Sequence, residues 1–350
     1  MTAPAATDRL EAMYRLFSWR ITSHTPAWDW EQIRKEVDSF EDWLPVWSRW
    51  AKRHSDHADE QLALGRRLTA GASYIRAGLF YHWATFVSPD DVDAFRSALE
   101  RMGECWAKAA PLADPPMELL EVPFEGTVLP GYLRLPAGVS RPPIAVLVAG
   151  ADSNKEELYD LADHIVRRGV AAFAFDGPGH GLVSFDLKLR PDYEVPIRAV
   201  VDFLSARDDL DIGRLAVGGI SYGGMFACRA AALDDRVRAV VSMTSWYSPA
   251  GRYPNMDLIS QIGLKQYMGD DPEAVQNAMT LEGLAEKIQV PLLQVYGALD
   301  PASPVSHAER TAAEARGPTT TVVYPDGVHV ANNVWYQSRP LVADWLAETL

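Results

Sequence analysis

Cysteine is nearly absent from this 350-residue chain: Cys105 and Cys228 are the only two. They lie far apart, so neither a disulfide framework nor a thiolate zinc site can be built. Basic residues are also in the minority, 33 Lys and Arg against 47 Asp and Glu. The formal charge of −14, with no Lys/Arg cluster to offset it, argues against a nucleic-acid partner. No stretch of about 18 apolar residues occurs, so no membrane span is expected. The opening Met-Thr-Ala-Pro-Ala-Ala-Thr-Asp-Arg-Leu lacks a basic and then apolar leader, which leaves the cytoplasm as the expected location. Neither G-x-G-x-x-G nor G-x-x-x-x-G-K-[ST] is present, so dinucleotide and triphosphate sites lack support. With 48% hydrophobic and 23% charged residues, the chain has the composition of a folded globular protein.

What is abundant is tryptophan, and it is unevenly spread. Eight of the 11 fall before residue 110: Trp19, Trp28, Trp30, Trp43, Trp47, Trp50, Trp83 and Trp106. Leu62, Gly65, Leu68, Ala72, Ile75, Leu79, Trp83 and Phe86 recur at helical spacing and predict one apolar face over several turns. Ser88-Pro89-Asp90-Asp91 predicts a stop, followed by a cap for a helix through Phe95, Leu99 and Met102. A proline-rich linker at 110–116 closes a helical domain spanning 1–115. His54-x-x-His57 lies among charged residues and reads as a solvated helix face rather than a metal site; no metal is expected.

From residue 116 to 350 the period changes. Leu119–Glu125 and Val128–Leu135 predict a hairpin turning near Gly126-Thr127. Strands are predicted at Ile144–Ala149, Ala171–Phe175, Leu215–Ile220, Val237–Met243, Leu292–Tyr296 and Thr320–Tyr324. Helices are predicted between them at Glu156–Arg168, Tyr193–Arg207, Met225–Leu233, Val305–Arg316 and Val334–Glu348. Continuous apolar strands alternating with helices imply an α/β architecture, a mostly parallel sheet with helices on both faces. Residues 246–288 break the alternation and read as an insertion.

The strongest local signal is Gly218-Gly219-Ile220-Ser221-Tyr222-Gly223-Gly224, a G-x-S-x-G pattern between strand and helix. Such a turn requires glycine where backbone segments meet, and lifts a serine hydroxyl to a helix N-terminus. Serine needs a base, and this motif's chain order is Ser, acid, His. Only His307 and His329 follow Ser221. His307 falls within a predicted helix, whereas His329 follows a strand in the loop Pro325-Asp326-Gly327-Val328-His329. Among the aspartates between them, Asp300 alone comes just after a buried strand. Ser221, Asp300 and His329 are the predicted catalytic set. The backbone N–H groups of Tyr222 and Ala151 are the expected oxyanion donors, Ala151 because it follows the strand at 144–149. Asp152 and Ser153 serve equally well as helix caps or substrate contacts. In the turn Asp176-Gly177-Pro178-Gly179-His180-Gly181, a loop role for His180 outweighs a pocket role.

Gly150–Glu157, Asp176–Gly181, the Gly219–Gly224 elbow and a preceding helical domain together resemble the α/β-hydrolase fold. They are most similar to the group of 2,6-dihydroxypseudooxynicotine hydrolase-like enzymes, fungal polyketide-shortening hydrolases and FrsA-like esterases. Ala72-Ser73-Tyr74-Ile75-Arg76-Ala77-Gly78-Leu79-Phe80-Tyr81-His82-Trp83 resembles the stretch that group carries before its hydrolase domain. The resemblance implies hydrolysis of a C–C bond beside a carbonyl in a 1,3-diketone or polyketide-like small molecule. It implies no cofactor, a helical domain over the active site, pocket roles for Tyr81, His82 and Trp246, and a homodimer. His180 stands where many relatives are expected to carry glutamine. Esterase or lactonase activity, or a non-hydrolytic cyclase, acyltransferase or isomerase reaction with the same residues, is the alternative expectation.

Overall fold

The computed structural model describes residues 6–86 and 91–350. The described residues fall into two compact units, one reaching Pro116 together with Asp257–Gln266, the other Met117–Met256 with Tyr267–Leu350.

The first unit carries α1 (Ala6–Ile21), α2 (Ala27–Glu36), α3 (Trp43–Ala63), α4 (Arg67–Ala84) and α5 (Val92–Ala109). The predicted stop at Ser88-Pro89-Asp90 lies outside the described residues. Asp91 does cap α5, accepting from the Ala94 N–H at 2.9 Å. The predicted apolar stripe holds for Leu79, Trp83 and Phe86, which are buried, and is corrected before them. Gly65, at φ 73°, breaks the chain between α3 and α4, and Leu62, Leu68 and Ala72 face solvent. The buried face of α4 is instead marked by Ala70, Tyr74, Ala77 and Gly78. Small residues win there because neighbours approach closely. A Cβ on Gly78 would lie 2.3 Å from the Trp106 indole nitrogen, and one on Gly71 2.9 Å from Leu112. Trp43, Trp47, Trp83 and Trp106 are wholly buried, with Trp47 edge-on to Phe80 at 5.3 Å.

The second unit begins with β1 (Met117–Phe124) and β2 (Thr127–Arg134), an antiparallel hairpin. Then come β3 (Ile144–Val148), α6 (Tyr159–Val166), β4 (Ala171–Phe175), α7 (Glu194–Ser205), β5 (Leu215–Ile220), α8 (Tyr222–Leu233) and β6 (Val237–Met243). After β6 come α9 (Leu258–Met268), most of which belongs to the first unit, and α10 (Pro272–Ala278). The chain ends with β7 (Leu292–Gly297), α11 (Ser306–Glu314), β8 (Thr319–Tyr324) and α12 (Trp335–Thr349).

Eight strands form one sheet in the order β1-β2-β4-β3-β5-β6-β7-β8, parallel from β4 onward. Every residue of β3, β4, β5 and β7 is buried, as two covered faces require. One face packs on α6 and α12 through Leu161, Ile165, Val342 and Leu346. The chain leaves β3 for β4 on one side and reaches β5 on the other. That reversal opens a crevice at the C-terminal ends of β3 and β5, where ligands bind in open α/β sheets. Among the described residues no helix is long and apolar enough to cross a membrane.

Candidate active site

Ser221 lies between β5 and α8 with φ 55° and ψ −123°, a backbone state few non-glycine residues adopt. The flanking glycines are sterically obligatory. A Cβ at Gly219 would sit 2.2 Å from Gly223, and one at Gly223 2.2 Å from the Val148 carbonyl. The helix starts at Tyr222, three residues earlier than Met225, the predicted start. Its first turn therefore presents free N–H groups directly behind the Ser221 hydroxyl.

The loops after β7 and β8 bring the other two predicted residues to this point. Gly297 and Gly327 abut so closely that a Cβ on Gly297 would lie 2.4 Å from the Gly327 carbonyl. The Leu299 N–H donates to the Gly327 carbonyl at 2.9 Å and ties the loops together. His329 Nδ1 lies 2.7 Å from Asp300 Oδ2, and His329 Nε2 lies 3.0 Å from Ser221 Oγ. With Nδ1–H donating to the carboxylate, Nε2 is left as acceptor for the serine proton. The Asp300 carboxylate is wholly buried, and its other oxygen accepts from the Ala302 N–H at 2.8 Å. Immediately after His329, Val330 and Ala331 hold φ 60° and 50°, so this loop, like the turn at Ser221, carries strained backbone. His307, the other candidate, lies on α11, where its Nδ1 accepts from the Tyr247 N–H. Asp326 is exposed in the turn before His329.

Gly150 lies against Ser221; a Cβ there would come within 3.1 Å of the Ser221 Cβ. His180, fully buried, bonds the Gly150 carbonyl through Nε2 at 2.9 Å and meets the Tyr193 hydroxyl through Nδ1 at 2.7 Å. Nε2 donates to the carbonyl, so Nδ1 accepts from the phenol and the imidazole is neutral. Burial itself also pushes the His180 pKa down. The Gly150 carbonyl and the Ala151 N–H belong to one planar peptide, so His180 fixes where that N–H points. The loop role expected of His180 is thus specific and lies beside the nucleophile.

The helix predicted from Glu156 begins only at Tyr159, and Leu158, not Asp152 or Ser153, precedes its first turn. The capping reading of Asp152 and Ser153 is therefore corrected; Ser153 donates to Glu157 instead. The turns at 151–158 are held by charge. Lys155 Nζ lies 2.7 Å from both Asp176 and Glu156, and the Lys155 N–H donates to Asp176 at 2.8 Å. Burial opposes the ammonium, but the two carboxylates outweigh it and raise its pKa; burial raises that of Glu156. The acidic residue opening the Asp-Gly-Pro-Gly-His-Gly turn and the Lys-Glu pair after β3 were visible in the sequence. Their meeting was not, since it depends on β3 and β4 being neighbours.

Trp246 is buried after β6, 5.9 Å from the His329 ring and 4.6 Å from Tyr222, with its indole N–H donating to the Ala302 carbonyl. Tyr81 and His82 lie on α4 in the helical unit, both buried. His82 packs 4.9 Å from Phe86, and burial pushes the Tyr81 pKa up to about 12. His54 pairs with Asp29 at 2.9 Å and is half-buried, so its face of α3 is less solvated than expected. Among the described residues no cluster of three or more His, Cys, Asp or Glu could hold a metal.

A parallel sheet carrying a serine on a strand–helix elbow, with histidine and aspartate on later strand ends, defines an α/β-hydrolase. Residues 39–350 match the model of the family described as esterase FrsA-like, and the chain belongs to that family. It is similar to 2,6-dihydropseudooxynicotine hydrolase of Paenarthrobacter nicotinovorans, 30% identical over 322 residues, covering 88% of this chain and 84% of the relative. The crystal structure of a 2,6-dihydroxy-pseudo-oxynicotine hydrolase superposes with a TM-score of 0.85 at 28% identity over 95% of each chain. The α/β hydrolase pydG of Acremonium sp. is 37% identical over 225 residues, 60% of this chain. This chain spans about half the length of that relative, 53%. The protein is an enzyme of the α/β-hydrolase class.

Proposed function

We propose that Ser221, His329 and Asp300 act as a catalytic triad that cleaves a C–C bond beside a carbonyl in a 1,3-diketone or polyketide-like small molecule. The hydrogen-bonded chain Asp300–His329–Ser221, at 2.7 and 3.0 Å on the elbow, is the observation that carries this reading. Ser221 Oγ attacks the carbonyl carbon as His329 Nε2 takes its proton. The Ala151 and Tyr222 N–H groups receive the oxyanion. Collapse breaks the C–C bond, and the leaving carbon departs as an enolate that takes the proton from His329. Water, deprotonated by His329, then releases the acid from Ser221. Similarity to 2,6-dihydropseudooxynicotine hydrolase supports a small-molecule carbonyl substrate. Ester cleavage is the second reading, favoured by the family's description as an esterase.

Intact-mass analysis after fluorophosphonate treatment tests the triad. A single adduct on Ser221, absent from Ser221→Ala, is expected; no adduct on folded protein would overturn the reading. Turnover of 1,3-diketones beside matched esters, in ¹⁸O-labelled water, then separates the two substrate classes.

A further inference from the structure

Arg252 and Gln276, both on the insertion that follows β6, meet at the side chain of Tyr222, the residue after the nucleophile. The Arg252 guanidinium lies 4.9 Å over the Trp246 ring, the same ring that packs against His329. Its charge acts on the Tyr222 hydroxyl and on His307, lowering the pKa of the latter after burial has done most of that work. Among the described residues no carboxylate pairs with it, whereas Arg190, Arg207, Arg229 and Arg236 are each matched by acidic partners. Gln276 is fully buried; its amide nitrogen donates to the Tyr222 hydroxyl, and its amide oxygen has no partner among the described residues. An unmatched guanidinium and an orphaned buried amide oxygen therefore share one aromatic corner beside the proposed base. The guanidinium is satisfied by a ligand that brings an anionic oxygen; the amide oxygen, an acceptor, takes a hydroxyl or N–H of the same ligand.

We infer that Arg252, held over Trp246, is a substrate-binding subsite for an oxyanion, a carboxylate or the enolate of a 1,3-dicarbonyl, carried by the molecule whose carbonyl Ser221 attacks. The inference rests on the serine-hydrolase reading and adds the charge of the substrate to it. Elsewhere the surface carries the excess of acidic residues and repels anions, so a preference for an anionic substrate needs a local cation.

The test compares mono-4-nitrophenyl glutarate with the neutral 4-nitrophenyl valerate on the full chain. Wild type should favour the glutarate ester in kcat/KM. Arg252→Met should remove that preference, lowering kcat/KM for glutarate by about tenfold to a hundredfold, the span of a charge-assisted hydrogen bond, while leaving valerate within about twofold. Arg252→Lys should restore part of it. A 1,3-diketone and its 2,2-dimethyl analogue, which cannot form the enolate, separate the enolate source from the carboxylate. Equal loss on both esters in Arg252→Met, or no preference in wild type, overturns the subsite. Inertness of both esters with no fluorophosphonate adduct overturns the hydrolase reading itself. The wild-type preference needs no variant to fold, so the subsite stays testable even if Arg252→Met is unstable.

Discussion

The helical unit and the sheet unit are built by opposite rules. In the first, four wholly buried tryptophans and their aromatic neighbours do the packing, and the only residue described there with positive φ is a glycine, Gly65. In the second, Ser221, Thr244, Val330 and Ala331 all hold positive φ without being glycine, and each lies at or just beyond the C-terminal edge of the sheet. Lys155, Glu156, Asp176 and Asp300 are buried near that edge, while Arg134, Arg229 and Arg339 are buried elsewhere in the same unit. Among its described residues the helical unit holds no non-glycine residue at positive φ. The sheet unit holds such residues at the candidate site, as functional sites generally do, and at Glu125 in the β1–β2 turn.

That contrast can be broken, and the most damaging change should be Ser221→Ala. Loss of the nucleophile is expected to lower kcat by about 10⁴-fold or more, with the thermal midpoint nearly unchanged. Ser221→Gly should be equally inactive yet more stable by about 1 kcal/mol, because glycine accepts φ 55° without strain. If both variants melt at the same temperature, the elbow stores no strain. In the helical unit the effects should be reversed. Trp47→Ala should cost about 3–5 kcal/mol in denaturant unfolding while sparing kcat per folded molecule. A large fall in kcat without loss of stability would show that the units are not so divided.

His180 offers a finer probe. His180→Ala should lower kcat about tenfold to a hundredfold with little change in KM, since it frees the peptide that aims the Ala151 N–H. His180→Gln should recover part of this by donating to the Gly150 carbonyl. The buried imidazole also makes a pH prediction. Its folded pKa is depressed, so below about pH 6.5 the unfolded chain takes a proton that the folded chain refuses. Stability is therefore full above that pH and falls as the pH drops, until the native imidazole protonates too. Urea titrations from pH 7 to 5 should show a shallower fall in His180→Gln than in wild type. The smallest effect belongs to Asp326→Asn: this exposed turn residue should change neither kcat nor the midpoint measurably.

Legibility followed the same division. The strands Ala171–Phe175, Leu215–Ile220 and Val237–Met243 stand where continuous apolar runs put them, because two-sided burial leaves no other composition. Chain order and strand ends sufficed to single out Ser221, Asp300 and His329, which the structure brings within hydrogen-bonding distance. The stripe led correctly to Leu79, Trp83 and Phe86 but misled at Leu62 and Leu68, because helical spacing cannot distinguish a buried row of small residues from an exposed row of leucines. The helix expected from Glu156 starts late because the Glu156 carboxylate is drawn into the Lys155–Asp176 cluster and the turn persists to Leu158. Arg252 left no trace at all, since what sets it apart is the missing partner, and a sequence does not record absences in space.

The contact between Gly297 and Gly327 has a consequence for how this site can change over time. Neither position can gain so much as a methyl group without parting the two loops, so carboxylate and imidazole travel as one piece. Beyond the clasp the first loop is held again, by the Trp246 indole on the Ala302 carbonyl and by Ser303 on Ser245. The Asp300–His329 pairing can thus outlive any particular substrate, and a descendant that abandons Ser221 would still inherit it.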